Sequence, residues 1–125
     1  MRKSDLKFKL SELAFQVTQN SATEPPFSGE FYDCFEDGVY KCICCDSDLF
    51  HSDDKFNSST GWPSFHSSIN KDAVETVSDN TFGMQRTEVV CSNCNAHLGH
   101  VFDDGPKPSF KRYCINSVAL NFVKK

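Results

Sequence analysis

Cys42-Ile43-Cys44-Cys45 and Cys91-Ser92-Asn93-Cys94 are two C-x-x-C pairs in a chain of 125 residues. Two residues between thiols is the spacing of a knuckle that turns both sulfurs toward one tetrahedral ion. Together the pairs supply Cys42, Cys45, Cys91 and Cys94, a soft ligand set that favours a single Zn2+. With all four positions filled by protein sulfur, such an ion is structural and leaves no place for water or substrate. It also adds folding energy that a small core lacks. The competing reading is that one or both pairs are buried free thiols or redox disulfides. Cys44 is also a possible ligand, but pairing it with Cys42 or with adjacent Cys45 gives poorer chelate geometry.

Three thiols remain, Cys34, Cys44 and Cys114. If Arg112-Tyr113-Cys114-Ile115-Asn116 is a strand, Arg112, Cys114 and Asn116 share one face. A cation beside a thiol lowers its pKa and raises its thiolate fraction, which is what a nucleophile needs. The same pattern equally suits a half-buried structural cysteine beside a surface arginine. His97 and His100 follow the second knuckle and admit three readings: metal ligands beside a filled site, ordinary packed or surface histidines, or acid–base groups near neutral pH. Trp62 is the only tryptophan. Gly61 and Pro63 around it suggest a loop that presents the ring, although a lone Trp is more often core.

The elements that must hold these residues are short. Residues 4 to 18 read as an amphipathic helix, capped by Ser4, with Leu6, Leu10, Leu13, Ala14 and Val17 on one face. Pro25 and Pro26 prevent its continuation. Helical periodicity then gives way to β-prone stretches separated by Gly, Asn, Asp and Pro, the pattern of an antiparallel β domain. Gly38–Cys42 and Thr87–Cys91 read as strands that run into the two knuckles. Arg112–Val123 reads as one strand with a slip, Tyr113, Ile115 and Ser117 on one face and Val118, Leu120 and Phe122 continuing the apolar set across a bulge. No repeat or linker divides the chain, so residues 1–125 are expected to form one domain.

Charge and cysteine usage narrow the class further. A net charge of -4 gives no electrostatic reason to expect nucleic acid or an anionic membrane as partner. No run reaches the roughly 18 apolar residues that span a bilayer. The basic start at Met1-Arg2-Lys3 is interrupted by charges where a signal peptide needs an apolar stretch. Seven cysteines, an odd number, suit metal ligation and reactive thiols in a reducing compartment, so a cytoplasmic location is expected. Nothing in the pattern calls for an obligate partner, and a monomer is expected.

Taken together, several motifs resemble the B-type peptide methionine sulfoxide reductases, from about Thr23 to Phe122. They are Thr23-Glu24-Pro25-Pro26-Phe27, Tyr40-x-Cys42-x-x-Cys45-x-x-x-Leu49-Phe50, Gly61-Trp62-Pro63-Ser64-Phe65, His97-Leu98-Gly99-His100-Val101-Phe102, Asp104-Gly105-Pro106 and Arg112-Tyr113-Cys114-Ile115-Asn116-Ser117. The resemblance implies a mainly β fold of two antiparallel sheets, with a short N-terminal helix and a structural zinc site remote from the catalytic thiol. It implies reduction of methionine-R-sulfoxide in peptides and proteins, a repair of oxidative damage, with thioredoxin as the recycling partner. Cys114 matches the family's catalytic thiol, and His97, His100, Arg112 and Asn116 match its polar active-site positions. Trp62 and Phe102 match the aromatics that cradle the substrate's methyl group.

The chain departs from the family pattern at three places. Thr60 stands where many members carry the resolving cysteine, which leaves Cys34 as the expected alternative, ahead of an external thiol and of Cys44. Asn95 replaces a usual Gly after the second knuckle, and Asn tolerates the left-handed conformation. Ser109-Phe110 replaces a Thr-Gly pair and is expected to reshape the rim of the pocket. The competing function is a non-catalytic zinc module that binds a protein partner. Such a module needs the four knuckle cysteines but not the polar face of Arg112, Cys114 and Asn116 or the two histidines.

Overall fold

The protein is described from a computed structural model, which describes residues 6, 10–20, 22–29, 31–32, 36–57, 60–79, 86–107 and 109–124. Helix α1 spans Glu12–Asn20. The strands are β1 (Gly38–Cys42), β2 (Asp48–His51), β3 (Lys55–Phe56), β4 (Ser64–Phe65), β5 (Val74–Asp79), β6 (Arg86–Cys91), β7 (His97–Phe102), β8 (Arg112–Ile115) and β9 (Leu120–Lys124). They form two antiparallel sheets, one in the order β2-β1-β9 and one in the order β3-β4-β8-β7-β6-β5. The mainly β expectation with an N-terminal helix holds.

The helix expected over residues 4–18 is interrupted at Leu10 and Ser11: Leu6 is helical, its carbonyl accepting from the Leu10 N–H at 2.9 Å, and α1 begins at Glu12. Ser11 is its cap, its Oγ accepting from the Ala14 N–H at 3.1 Å, while Ser4 lies outside the described residues. The periodic pattern runs through both serines and carries no sign of the bend at Leu10. The helix buries Ala14, Val17 and Thr18 against β7 and the 3-10 turn Ser117–Ala119, but Leu13 remains 38% exposed, off the inward face. It ends at Asn20, before the prolines, where the Ala22 N–H returns to the Gln16 carbonyl at 3.1 Å.

Aromatic rings join the two sheets. Phe65 of β4 stacks on Phe50 of β2 at 4.4 Å between centroids and meets Tyr40 of β1 edge-on at 5.2 Å. Tyr40 in turn meets Phe122 of β9 at 4.8 Å, and Phe50 meets Tyr113 of β8 at 5.9 Å. Tyr40, Phe50 and Phe65 are fully buried. Each such ring contributes about 1.5–3 kcal/mol by leaving water, and each well-placed pair about 0.5–1.5 kcal/mol more.

The expected single strand from Arg112 to Val123 is instead two strands in different sheets. β8 ends at Ile115, the 3-10 turn Ser117–Ala119 follows, and β9 crosses to pair with β1. The turn is held from outside its own segment: the Val118 N–H donates to Glu24 Oε1 at 3.0 Å, and the Phe31 N–H to Ser117 Oγ at 3.3 Å. Alternation along the chain carries no trace of such distant partners.

Candidate active site and metal centre

The two knuckles are built alike. In the first, the Asp46 N–H donates to the Cys42 carbonyl at 2.9 Å and the Cys42 N–H to Ser47 O at 2.8 Å; in the second, Asn95 donates to Cys91 at 2.8 Å and Cys91 to Ala96 O at 2.9 Å. Asp46 and Asn95 both take a left-handed φ, +66° and +63°, as expected for Asn95. Strands β1 and β6 thus deliver their last residues, Cys42 and Cys91, into matching turns.

The sulfurs of Cys42, Cys45, Cys91 and Cys94 lie within 4.8 Å of one another, close enough to hold one metal ion. Cys42–Cys94 and Cys45–Cys91 are each 3.6 Å apart. Bonds of about 2.3 Å to a tetrahedral ion place neighbouring sulfurs roughly 3.8 Å apart, so the donor set and its dimensions fit zinc. Cys44 is buried but outside this quartet, and its sulfur accepts from Gln19 Nε2 at 3.6 Å.

The remaining chemistry gathers in a cavity of about 420 Å3 over β7 and β8. Cys114, Arg112, Asn116, His100, Trp62 and Phe102 all line it. Register explains why. Cys114 of β8 lies directly opposite His100 of β7 and, on its other side, Ser64 of β4; Arg112 lies opposite Phe102. Directly opposed residues present their side chains on one face. The β8 reading of Arg112, Cys114 and Asn116 as neighbours therefore holds.

His97 and His100 are three residues apart, a spacing that puts side chains on opposite faces of a regular strand. The register between β6 and β7 slips at Val89/Val90: Val89 faces Gly99, whereas Val90 faces His97, so Leu98 is an extra residue. That bulge reverses the alternation and returns both imidazoles to one side. Their centroids are 5.4 Å apart, edge to face. His97 is only 4% exposed and does not line the cavity; its Nδ1 lies 2.6 Å from Glu88 Oε2.

Other groups set the cavity's walls. Arg112 Nε donates to Asp104 Oδ1 at 2.8 Å and Nη2 to Oδ2 at 3.3 Å, while its guanidinium lies 4.4 Å over the Phe102 ring. The same guanidinium holds the Asp104 carboxyl below its ordinary range. Trp62 Nε1 donates to the Glu24 carbonyl at 3.0 Å, and the Glu24 N–H donates to Asn116 Oδ1 at 2.9 Å. Asn116 Nδ2 donates to the Leu98 carbonyl at 2.9 Å. Asn116 thus braces β7 against the segment that carries Glu24 and orients Trp62. Gly61 precedes that ring with φ +97°, and a Cβ there would meet Pro26 Cβ at 2.6 Å.

Burial is the dominant influence on Cys114 and raises its pKa. A hydrogen bond with Thr60 and the charge of Arg112 pull the other way but do not overcome it. The expected effect of Arg112 is present, since its charge lowers the Cys114 pKa, but desolvation prevails. Thr60 Oγ1 is 3.9 Å from Cys114 Sγ. Cys34 lies outside the described residues.

Four participants were not assigned from sequence. Thr23 and Arg86 line the cavity. Glu24 is 1% exposed, with its pKa raised by burial, and Glu88 is the partner of His97. Carboxylates in a sequence read as surface, and nothing local marks these two as turned inward. Among the described residues, no helix is long and apolar enough to cross a membrane.

Comparison with known proteins agrees with this geometry. The SelR domain family matches residues 10–124. The peptide methionine sulfoxide reductases MsrB of Escherichia coli O139:H28 and of Escherichia coli K12 are each 52% identical over 119 residues, covering 95% of this chain and 87% of theirs. Matched along nearly its whole length, with the knuckles and the thiol pocket in place, the chain belongs to the SelR family of B-type peptide methionine sulfoxide reductases.

Proposed function

We propose that the chain reduces methionine-R-sulfoxide in peptides and proteins to methionine, with Cys114 as the nucleophile. The observation that carries this reading is one cavity in which a thiol, two aromatic rings and an imidazole converge: Cys114, Trp62, Phe102 and His100. The rings suit a polarised S-methyl group, and the imidazole side suits the sulfoxide oxygen, which leaves sulfur only once protonated. His100, which lines the cavity, supplies that acid.

The raised pKa of Cys114 makes the resting group a thiol. Attack on the sulfoxide sulfur then couples loss of the thiol proton to protonation of the oxygen. The Cys114 sulfur ends bearing that oxygen as a sulfenic acid, the thiol's hydrogen balances it, and methionine leaves reduced. A second thiol condenses with the sulfenic acid, releasing water and leaving a disulfide. Thr60 cannot do this, although its Oγ1 lies 3.9 Å from Cys114 Sγ. Cys34 is the proposed resolving thiol. In support, Tyr32, two residues before Cys34 in sequence, packs edge-on against Phe27 at 5.0 Å, and the Phe27 N–H donates to Gly61 O beside Thr60. Thioredoxin is the proposed reductant of the disulfide. The four-cysteine quartet is proposed to hold one structural Zn2+, distant from every step above. A monomer in the cytoplasm suits seven cysteines kept reduced.

The test gives purified protein R and S sulfoxide peptides with either dithiothreitol or the thioredoxin system. Reduction of the R epimer alone, abolished by Cys114→Ser, is expected. A Cys34→Ser variant active with dithiothreitol but not with thioredoxin would support Cys34 as resolving thiol. Turnover of neither epimer would sink the reading.

A further inference from the structure

Glu88, His100 and Cys114 stand directly opposite one another on β6, β7 and β8, a row of side chains across one face of the sheet. Glu88 also reaches the neighbouring imidazole. Its Oε2 lies 2.6 Å from Nδ1 of His97, the imidazole that the bulge at Leu98 swings onto the same face. Glu88 is 19% exposed and His97 4%, so the pair is largely withdrawn from water. His97 in turn meets His100 edge to face at 5.4 Å, and His100 lines the cavity beside Cys114.

We propose that Glu88 is a positioning residue for the reductase site: it fixes the tautomer and ring plane of His97, and through His97 the orientation of the His100 imidazole. The proposal rests on the reductase reading above and adds a role for a residue outside the cavity. A carboxylate only accepts hydrogen bonds, so it selects the His97 tautomer with the proton on Nδ1. Nε2 is then the acceptor nitrogen of that ring, with its direction set by the Nδ1 anchor. A ring held at one edge gives His100 one face to pack on instead of a choice of flips. Groups near this unit come from three strands: Glu88 and Arg86 from β6, His100 from β7, and Cys114 with Arg112 from β8. Only Glu88 offers His97 Nδ1 a carboxylate at hydrogen-bond distance among the described residues. A purely structural role, pinning β6 to β7, would require the bond but not its polarity.

The test compares wild type with Glu88→Gln, which keeps the size but lets either end of the amide face Nδ1. Nitrogen chemical shifts of His97 report the tautomer, steady-state kinetics on an R sulfoxide peptide report function, and thermal melting reports the fold. The expected wild-type signature is protonated Nδ1 with unprotonated Nε2. In Glu88→Gln the shifts move toward a mixed or reversed tautomer and kcat falls about 10- to 100-fold, the size typical of losing a partner that orients an imidazole. KM and Tm stay close to wild type. Alkylation of Cys114 stays unchanged, since the thiol itself is untouched. An unchanged tautomer, an unchanged kcat, or a kcat loss that merely follows a fall in Tm would overturn the role of Glu88. Wild type inactive on both epimers would instead bring down the reductase reading and this proposal with it, a result distinct from a silent variant of an active enzyme.

Discussion

Thr60→Cys, made in a Cys34→Ser background, places a second thiol next to the reacting one. Thr60 Oγ1 lies 3.9 Å from Cys114 Sγ, and a disulfide needs about 2.05 Å, a closure within reach of the longer C–S bonds and a small rotation. After one turnover the sulfenic acid on Cys114 should condense with the introduced thiol. The residues are 54 apart in sequence, and closing a loop of that length removes unfolded-state entropy worth about 4 kcal/mol. For a chain of this size the melting temperature should rise roughly 10–15 °C over the reduced form. The assay is calorimetry before and after one equivalent of R sulfoxide peptide, with peptide mapping to locate the bond and dithiothreitol to reverse it. The Cys34→Ser parent should show no such rise. Absence of the Thr60→Cys crosslink after substrate, while the variant melts as a folded protein, would refute either the sulfenic acid or the placement of residue 60.

Three further outcomes are expected. Cys91→Ser, or a strong chelator, should abolish cooperative unfolding, because a structural zinc contributes about 10–16 kcal/mol and a whole domain retains only about 5–15; metal analysis should find one zinc per chain, and a metal-free chain with unchanged near-ultraviolet dichroism would contradict this. Phe65→Ala should cost about 3–5 kcal/mol in urea unfolding, since Phe65 stacks on Phe50 and meets Tyr40 edge-on at the junction of the sheets; a loss under about 1 kcal/mol would show that the rings are not the core. Burial raises the pKa of Glu24, so its stabilising neutral form is fully present below the ordinary carboxylate pKa and lost as pH rises through the folded value. Glu24→Gln should therefore be more stable than wild type at neutral pH and lose that advantage in acid, as measured by urea unfolding at both; an advantage that grew in acid would reverse the sign.

What could be read without coordinates was local. C-x-x-C spacing is a property of four consecutive residues, and alternation across Arg112, Cys114 and Asn116 needs only a strand. Both survive folding because nothing distant must cooperate. The histidine pair shows the opposite case: its spacing argues against a shared face, and only the bulge at Leu98, visible as a slip in pairing between β6 and β7, brings the rings together. The break after Ile115 was hidden for the same reason, since Glu24 captures the Val118 N–H from 94 residues away. The break at Leu10 and Ser11 was not legible, because the apolar periodicity runs through it without interruption. The role of Arg112 was visible, but its weight was not: Asp104 occupies its guanidinium, and the burial that raises Cys114 depends on the whole pocket.

The central claim is that Cys114 takes the oxygen from the sulfoxide. Wild-type protein with reductant removed should be mixed with one equivalent of R or S sulfoxide peptide, with a sulfenic acid trap present. The account predicts release of about one methionine peptide per chain from the R epimer alone, with the trap on Cys114 and on no other cysteine. Methionine released without modification of Cys114, or modification of a zinc-knuckle cysteine instead, would contradict it.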